Sequence, residues 1–240
     1  MTHEFDLGRS LAAGVEDRQA VWDFVRGFAE HWSDTALGDD DGLPEAELVA
    51  AEQRLGLRLP AALREAYALL GRRDDLTSNH DTLREPAELC VDETGEALVF
   101  RDENQGAARW GILLADLSLD DPPVRIRPDL ADKSREKWEP WLERTSLAFL
   151  EIVLSEATQA PDELVDFLDA PDEGIVAALE KDGVRLAFSA CPPGEPSLRW
   201  FLYHGVLVRD TGGEWLHIRG RTEEAVESVR NSLDGDWLNG

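Results

Sequence analysis

The sequence has few basic residues for its length. Lys and Arg number 24 against 50 Asp and Glu, and the formal net charge is −26. Such a surface repels nucleic-acid phosphates and anionic lipids, so we expect no direct contact with nucleic acid or with a membrane. It favours basic partners and speeds encounter with them at low salt. An acidic surface also keeps a protein soluble, and charge alone leaves both interpretations open.

Cysteine is equally scarce. Only Cys90 and Cys191 occur, and neither lies in a C-x-x-C arrangement. This excludes a disulfide-stapled secreted framework and favours two buried free thiols. The N-terminus lacks a basic segment followed by an apolar run, and no apolar run is long enough to cross a bilayer. We therefore expect a cytoplasmic protein.

The sequence also lacks the common catalytic and metal-binding motifs. A serine-hydrolase elbow, a phosphate loop and a G-x-G-x-x-G loop are absent, and no His pairs with another His or a Cys at helical spacing. The acidic run before Gly42 is no calcium loop, because Leu37 and Leu48 then occupy its first and twelfth ligand positions. We expect no enzyme, cofactor or metal. A zinc site assembled from distant residues and an unrecognised active site stay open.

Apolar periodicity and Pro/Gly signals divide the chain into helical and strand-like sections. The predicted helices are Asp17–Trp32, Pro44 to Gly56, Pro60 to Gly71, Ser146–Ala157 and Thr222–Asn231, with a surface helix in Arg125–Arg144 and a helix-rich Pro161–Lys181. The predicted strands are Glu88–Val91, Ala97–Arg101, Trp110–Leu114, Val124–Arg127, Arg185–Ala190, Trp200–Tyr203, Val206–Val208 and Trp215–Ile218, with a hairpin turn at Thr211-Gly212-Gly213. Strict β-α alternation is absent. The expected class is α+β, an antiparallel sheet flanked by helices.

One succession of segments carries a family resemblance. It begins with LGLRLPAALREAYALLG at Leu55–Gly71 and continues with the turn ENQG at Glu103–Gly106 and with WGI at Trp110–Ile112. DPPV at Asp121–Val124 and the helix Ser146–Ala157 follow in the same order. Across residues 40–157 this succession resembles the SUKH superfamily, which includes bacterial immunity proteins and fungal cell-wall regulators. The lysine-poor, Ala/Arg-rich composition favours the bacterial type.

The resemblance implies a non-enzymatic protein that binds and blocks a toxin stoichiometrically. Toxins neutralised by such proteins are often nucleases or other basic effectors, which matches the acidic composition. The alternative is a regulatory interaction scaffold without a toxin partner. The chain divides into an N-terminal helical extension (1–39), a SUKH-like core (40–157) and a C-terminal α+β extension (158–240), which is either continuous with the core or a second small domain.

Candidate partner contacts are polar turns and acidic stretches. The segment Pro161–Ile175 carries six carboxylates and no basic residue, which makes it the best electrostatic candidate; a solvated helix face and simple turn formation are the alternatives. Asp39–Glu47 is a further acidic candidate. The predicted contact residues are Glu103, Asn104, Gln105, Asp120, Asp121, Asp162, Glu163, Asp166, Asp169, Asp172 and Glu173.

Overall fold

A computed structural model describes residues 5–12, 15–186 and 198–239. The described residues form helices and two antiparallel sheets of six and five strands, which confirms the predicted α+β class. They fall into two compact units. The central unit is Ala36–Glu156, and the terminal unit joins the described residues before Ala36 to those after Glu156. The N-terminal helix and the C-terminal section, which sequence patterns separate into two extensions, therefore share one unit.

The helices and strands are numbered along the chain. The described helices are α1 (Leu7–Ala12), α2 (Arg18–Trp32), α3 (Glu45–Leu55), α4 (Ala61–Leu70), α5 (Asp74–Thr77), α6 (Thr145–Ala157), α7 (Glu173–Asp182) and α8 (Glu223–Ser232). The described strands are β1 (Thr82–Leu83), β2 (Cys90–Val91), β3 (Ala97–Asp102), β4 (Ala108–Leu113), β5 (Val124–Pro128), β6 (Glu139–Leu142), β7 (Val165–Asp169), β8 (Val184–Arg185), β9 (Leu198–Tyr203), β10 (Val206–Thr211) and β11 (Trp215–Arg219). No described helix has the length and apolar character needed to cross a membrane.

In the central unit, α3 and α4 form the predicted helix pair. Gly56 ends α3 in the left-handed conformation, with φ of 69°, which glycine adopts without steric cost. Pro44 and Pro60 are N-caps with extended backbone, so each helix begins one residue later than predicted. The Glu52 carboxylate on α3 accepts a hydrogen bond from Nη1 of Arg64 on α4 at 2.7 Å. This bond ties the two helices together.

The first sheet has the strand order β1-β3-β4-β5-β6, and β2 also pairs with β3. Helix α6 packs against it. Its Phe149 ring stacks on Phe100 of β3 at 5.9 Å between centroids and meets Tyr67 of α4 edge-on at 6.5 Å. All three side chains are almost fully buried. The core of the central unit therefore lies where α4, α6 and β3 meet.

Asp92 binds the β2–β3 hairpin to the rest of the first sheet. Its fully buried carboxylate accepts hydrogen bonds from the Ala97 N–H (3.0 Å), from Nη1 of Arg127 on β5 (2.9 Å) and from the Trp138 indole N–H (3.1 Å). Burial by itself would raise the pKa of Asp92. Hydrogen bonds from Thr94, Ala97 and Trp138 outweigh burial and hold the pKa below its ordinary value.

We expect Asp92→Asn to lower the free energy of unfolding by about 2–3 kcal/mol at pH 7, because it removes the buried charge that pairs with Nη1 of Arg127, whereas Glu136 stays 3.2 Å from Nη2 of the same arginine. Since the folded-state pKa is depressed, the carboxylate's contribution is fully present above the unfolded-state pKa of about 3.9. It is lost as the pH falls below that value and through the folded-state pKa. Urea denaturation of the wild type and variant at pH 7, 5 and 3 measures both effects.

The stability difference between wild type and Asp92→Asn should therefore shrink between pH 5 and pH 3. The exposed Asp39→Asn is the matched control and should leave the unfolding free energy within about 0.5 kcal/mol. A difference at Asp92 that stays constant over this pH range would contradict the proposed role of the ionised carboxylate.

The second sheet, in the terminal unit, has the order β7-β11-β10-β9-β8. Helices α7 and α8 cover one of its faces. Ile175 and Leu179 of α7 and Val226 and Val229 of α8 are buried in one apolar cluster with strand residues such as Phe201. Gly212 and Gly213, with φ of 70° and 82°, form the turn between β10 and β11, which confirms the predicted hairpin.

One predicted helical segment is helical only in part, and another helix prediction is wrong. The acidic segment Pro161–Lys181 contains strand β7 before helix α7, because its Val165–Asp169 stretch pairs along its whole length with β11. The segment Arg125–Arg144 forms β5 and β6 with a short 3-10 turn between them, instead of a surface helix. Here β5 pairs with both β4 and β6. In both segments, pairing with strands from elsewhere decides against local helix signals.

The prediction of two buried free thiols can be compared with the structure only at Cys90. Cys90 is half-buried in β2, and Nη1 of Arg84 lies 2.8 Å from its Sγ. Cys191 lies outside the described residues. The predicted strand Arg185–Ala190 is described only in part, since β8 ends at Arg185 and the residues from 187 are not described.

Candidate functional site

An open groove of about 770 Å³ lies in the terminal unit, beside the segment that leads into β7 and along helix α8. Five carboxylates and a single guanidinium contribute to its lining. The lining residues are Ala160, Pro161, Asp162, Glu163, Val165, Glu223, Glu224, Glu227, Arg230 and Asn239. We call this surface the acidic groove.

Two of its charged residues are held by partners from the protein interior. The Asp162 carboxylate lies 3.0 Å from Nη1 of Arg219, a buried side chain that also donates from Nη2 to the Trp32 carbonyl at 3.2 Å. Arg230 donates from Nε to the buried Asp166 carboxylate at 2.6 Å. These ion pairs fix the groove's walls. They also compensate part of the charge of Asp162 and Arg230 within the protein.

The other acidic side chains face solvent. Glu163, Glu223 and Glu224 are exposed, and none of the ion pairs found among the described residues includes them. Hydrogen bonds from its own backbone N–H and from Thr222 lower the pKa of Glu224. The Glu227 carboxylate lies 3.4 Å from Nη1 of Arg230, which also pairs with Asp166. The groove therefore presents an uncompensated negative charge, which suits lysine and arginine side chains of a partner.

A second polar cluster lies in the central unit, around the turn that joins β3 to β4. The turn is held by Glu103, whose Oε2 accepts hydrogen bonds from the backbone N–H groups of Gln105 (2.9 Å) and Ala107 (2.7 Å). Gly106 completes it with φ of 78°. Asn104 is exposed at its tip. The turn predicted from Glu103-Asn104-Gln105 is therefore present, and its amide-bearing residues face solvent.

His80 and Asp81, the two residues that immediately precede β1, lie beside this turn. The Asn104 N–H donates to Oδ1 of Asp81 at 3.2 Å, and Nδ2 of Asn104 lies 3.2 Å from Nδ1 of His80. One ligand atom each from His80, Asp81 and Glu103 lies within 4.8 Å of the other two. We call His80, Asp81, Glu103 and Asn104 the turn cluster.

A buried ion pair supports the turn cluster. Glu156 of α6 pairs with Arg101 of β3, and both side chains are at most 2 % exposed. Glu156 also accepts hydrogen bonds from the backbone N–H of His80 (2.6 Å) and of Asp81 (3.3 Å). Burial raises the pKa of Glu156, against the charge of Arg101, which lowers it. One carboxylate thus anchors both residues that lead into β1.

Sequence reasoning did not single out His80 or Asp81. His80 has no histidine or cysteine at helical spacing, which was the signal sought for a metal ligand. Its neighbour in space, Glu103, lies 23 positions further along the chain, and the pairing of Thr82 with Asp102 brings the two together. The only local sign of a possible metal ligand was the adjacent pair of polar residues, His80 and Asp81, just before strand β1.

The predicted contact residues in the central unit have different environments. Asp120 is exposed in the loop after β4. The Asp121 carboxylate accepts hydrogen bonds from Ser146 at the start of α6, from its N–H at 2.8 Å and its hydroxyl at 2.6 Å. Asp121 therefore stabilises the helix terminus and contributes less than an exposed carboxylate to any partner contact.

The predicted contact residues of the terminal unit lie before, within and after strand β7, and therefore on different surfaces. Asp162 and Glu163 precede the strand and line the acidic groove. Asp166 is completely buried and paired with Arg230, so it presents no carboxylate to a partner. Exposed residues at the other end of β7 are Asp169, Asp172 and Glu173, of which Asp172 caps α7 through the Ile175 N–H at 2.9 Å. Sequence reasoning missed Glu223, Glu224 and Glu227, which complete the groove.

No protein-family model, curated protein or solved structure matches this chain. The resemblance to the SUKH superfamily stays a prediction from the sequence.

We expect Arg101→Met to cost about 3–5 kcal/mol of unfolding free energy, because it leaves the Glu156 carboxylate buried without its charge partner. The double variant Arg101→Met/Glu156→Gln should cost at least about 1 kcal/mol less than the sum of the two single changes. Urea denaturation of the four proteins measures this coupling. Arg109→Met, at an exposed pair with Glu93, is the control and should cost under about 1 kcal/mol. If the unfolding free energies lost in the two single variants simply add in the double variant, Arg101 and Glu156 do not stabilise the protein as an ion pair.

Proposed function

We propose that this chain is a non-enzymatic protein-binding module of the immunity-protein type, which neutralises a basic protein toxin by stoichiometric binding. The proposal includes membership of the SUKH superfamily and action in the cytoplasm. Its physical basis is electrostatic complementarity between an acidic inhibitor and a basic effector such as a nuclease. An inhibitor of this kind covers the effector's cationic surface and so competes with that effector's anionic substrate.

The acidic groove is the observation that carries the proposal. Glu163 comes from the segment before β7, and Glu223 and Glu224 come from the first turn of α8. Two separate parts of the chain thus direct charge of one sign into the same concave surface. A groove of about 770 Å³ has room for a few lysine or arginine side chains of a partner segment. The remaining interface area would lie on the groove's rim.

The order of elements in the central unit supports the family part of the proposal. The helix pair α3–α4 is followed, after α5, β1 and β2, by β3, the Glu103–Gly106 turn and β4, and then by the Asp-Pro loop, β5, β6 and α6. The segments that carry the resemblance are each placed at an element or turn of this series. Asp121 of the loop also caps α6, which gives the Asp-Pro segment a structural reason to precede that helix.

The proposal is tested first by affinity capture of the tagged protein from its native lysate at low and at high salt, with mass spectrometry of the bound fraction. One basic protein at equimolar ratio, together with protection of cells that co-express it, is the expected result. Several substoichiometric partners without protection would favour the scaffold alternative. Failure to protect cells against a captured partner that is toxic on its own would overturn the immunity role.

With that partner in hand, the groove itself is tested by Glu163→Gln/Glu223→Gln/Glu224→Gln. Removing three exposed charges should lower the association rate about tenfold at low salt and weaken its salt dependence, because electrostatic steering depends on these charges. Stopped-flow or surface-plasmon measurements between 20 and about 300 mM salt determine both quantities.

The matched control is Glu85→Gln/Glu88→Gln/Glu143→Gln, which removes three exposed carboxylates of the central unit. It changes the net charge by the same amount and should change the association rate less than about threefold. Equal effects of the two triple variants would show that only total charge matters, and they would remove the groove from the interface.

A further inference from the structure

We propose that the turn cluster is a metal site, in which His80, Asp81 and Glu103 bind one divalent transition-metal ion of the Zn²⁺ type. The inference goes beyond the proposed toxin binding and does not depend on it. It rests on one imidazole nitrogen and two carboxylate oxygens that lie within 4.8 Å of one another at the edge of the first sheet.

The donor set selects the class of metal. Imidazole nitrogen together with carboxylate oxygen suits Zn²⁺ and its first-row neighbours, whereas Ca²⁺ takes six to eight oxygen ligands. With metal–ligand bonds of about 2.0–2.2 Å, ligands around a tetrahedral ion lie roughly 3.4 Å apart. The present separations, at most 4.8 Å, therefore need to close by no more than about 1.4 Å. His80 is exposed and Glu103 half-exposed, so side-chain rotation achieves this without moving the backbone.

The backbone that carries the ligands is already fixed. The N–H groups of His80 and Asp81 both donate to the Glu156 carboxylate, and β1 pairs with β3 immediately afterwards. The hydrogen bonds that hold Glu103 in the turn both use Oε2, so Oε1 remains available for a metal. The ligands thus come from two rigidly connected segments, which reduces the entropy lost on binding.

Neighbouring groups orient the ligands. Nδ2 of Asn104 lies 3.2 Å from Nδ1 and 3.3 Å from Nε2 of His80. Because an amide N–H can only donate, a metal at His80 requires the Asn104 amide to turn, which brings its oxygen to accept the N–H of the ring nitrogen that does not bind the metal. Asp81 accepts from the Asn104 N–H through Oδ1 and pairs with Arg101 through Oδ2 at 3.3 Å. Such outer contacts hold metal ligands in place. Three protein ligands leave further coordination positions for water or for a group of a partner.

The test is calorimetric titration of Zn²⁺ into chelator-treated, full-length protein, with Co²⁺ as a spectroscopic probe and Ca²⁺ as the comparison ion. We expect one equivalent of Zn²⁺ to bind. Co²⁺ in the same site should show the visible absorption of a four- or five-coordinate ion with nitrogen and oxygen ligands. His80→Ala and Glu103→Gln should each weaken Zn²⁺ binding by at least about tenfold. Both side chains reach solvent, so neither change is expected to unfold the protein; far-UV circular dichroism verifies this.

His204→Ala is the matched control, since His204 is an exposed histidine in the turn between β9 and β10. It should leave the Zn²⁺ affinity unchanged. The proposal is overturned if the wild type binds no Zn²⁺, or if it binds Zn²⁺ with an affinity that neither His80→Ala nor Glu103→Gln alters. The second result would assign the metal to other carboxylates of this acidic surface.

Discussion

The buried Glu156 carboxylate is the constraint on which the turn cluster depends. Through Arg101 it connects α6 to β3, and through the backbone of His80 and Asp81 it connects α6 to the start of β1. A single group therefore brings three segments together that are far apart in sequence. Burying this charge is costly, and the arginine together with the two N–H donors offsets the cost. The exposed side chains of the cluster acquire their relative positions from this interior interaction.

Buried pairs of a carboxylate and an arginine also occur in the second sheet. They allow a chain of net charge −26 to place some of its carboxylates in the core. Asp210 is buried against Arg199, as Asp166 is against Arg230. Arginine suits these positions because its planar guanidinium donates several hydrogen bonds in fixed directions. Because several of the arginines pair with buried carboxylates, fewer cations are left to balance the carboxylates at the surface. The acidic groove is one consequence, and its negative charge follows from where the arginines are placed.

The acidic groove and the turn cluster are chemically different surfaces on separate units of the chain. The groove combines carboxylates from two segments, and its negative charge is complementary to an extended cationic surface in a way that salt screens. The turn cluster adds a nitrogen ligand to two carboxylates, which suits a single small cation instead of an extended charged surface. The two surfaces therefore differ in the arrangement of their side chains and not only in their number of acidic residues.

The sequence by itself determined the helices with strong local signals and the α+β class. Periodic apolar positions specified α2, Gly56 ended α3, and the glycines after Thr211 formed a hairpin turn. These features depend on interactions within a few residues. Only tertiary structure decided that Val165–Asp169 is a strand, because its hydrogen-bond partners belong to β11, some 50 positions later. Likewise, the burial of Asp166 depends on Arg230, and the proximity of His80 to Glu103 depends on strand pairing. Such contacts between distant residues leave no local pattern, since the charge or strand that satisfies each group lies elsewhere in the chain.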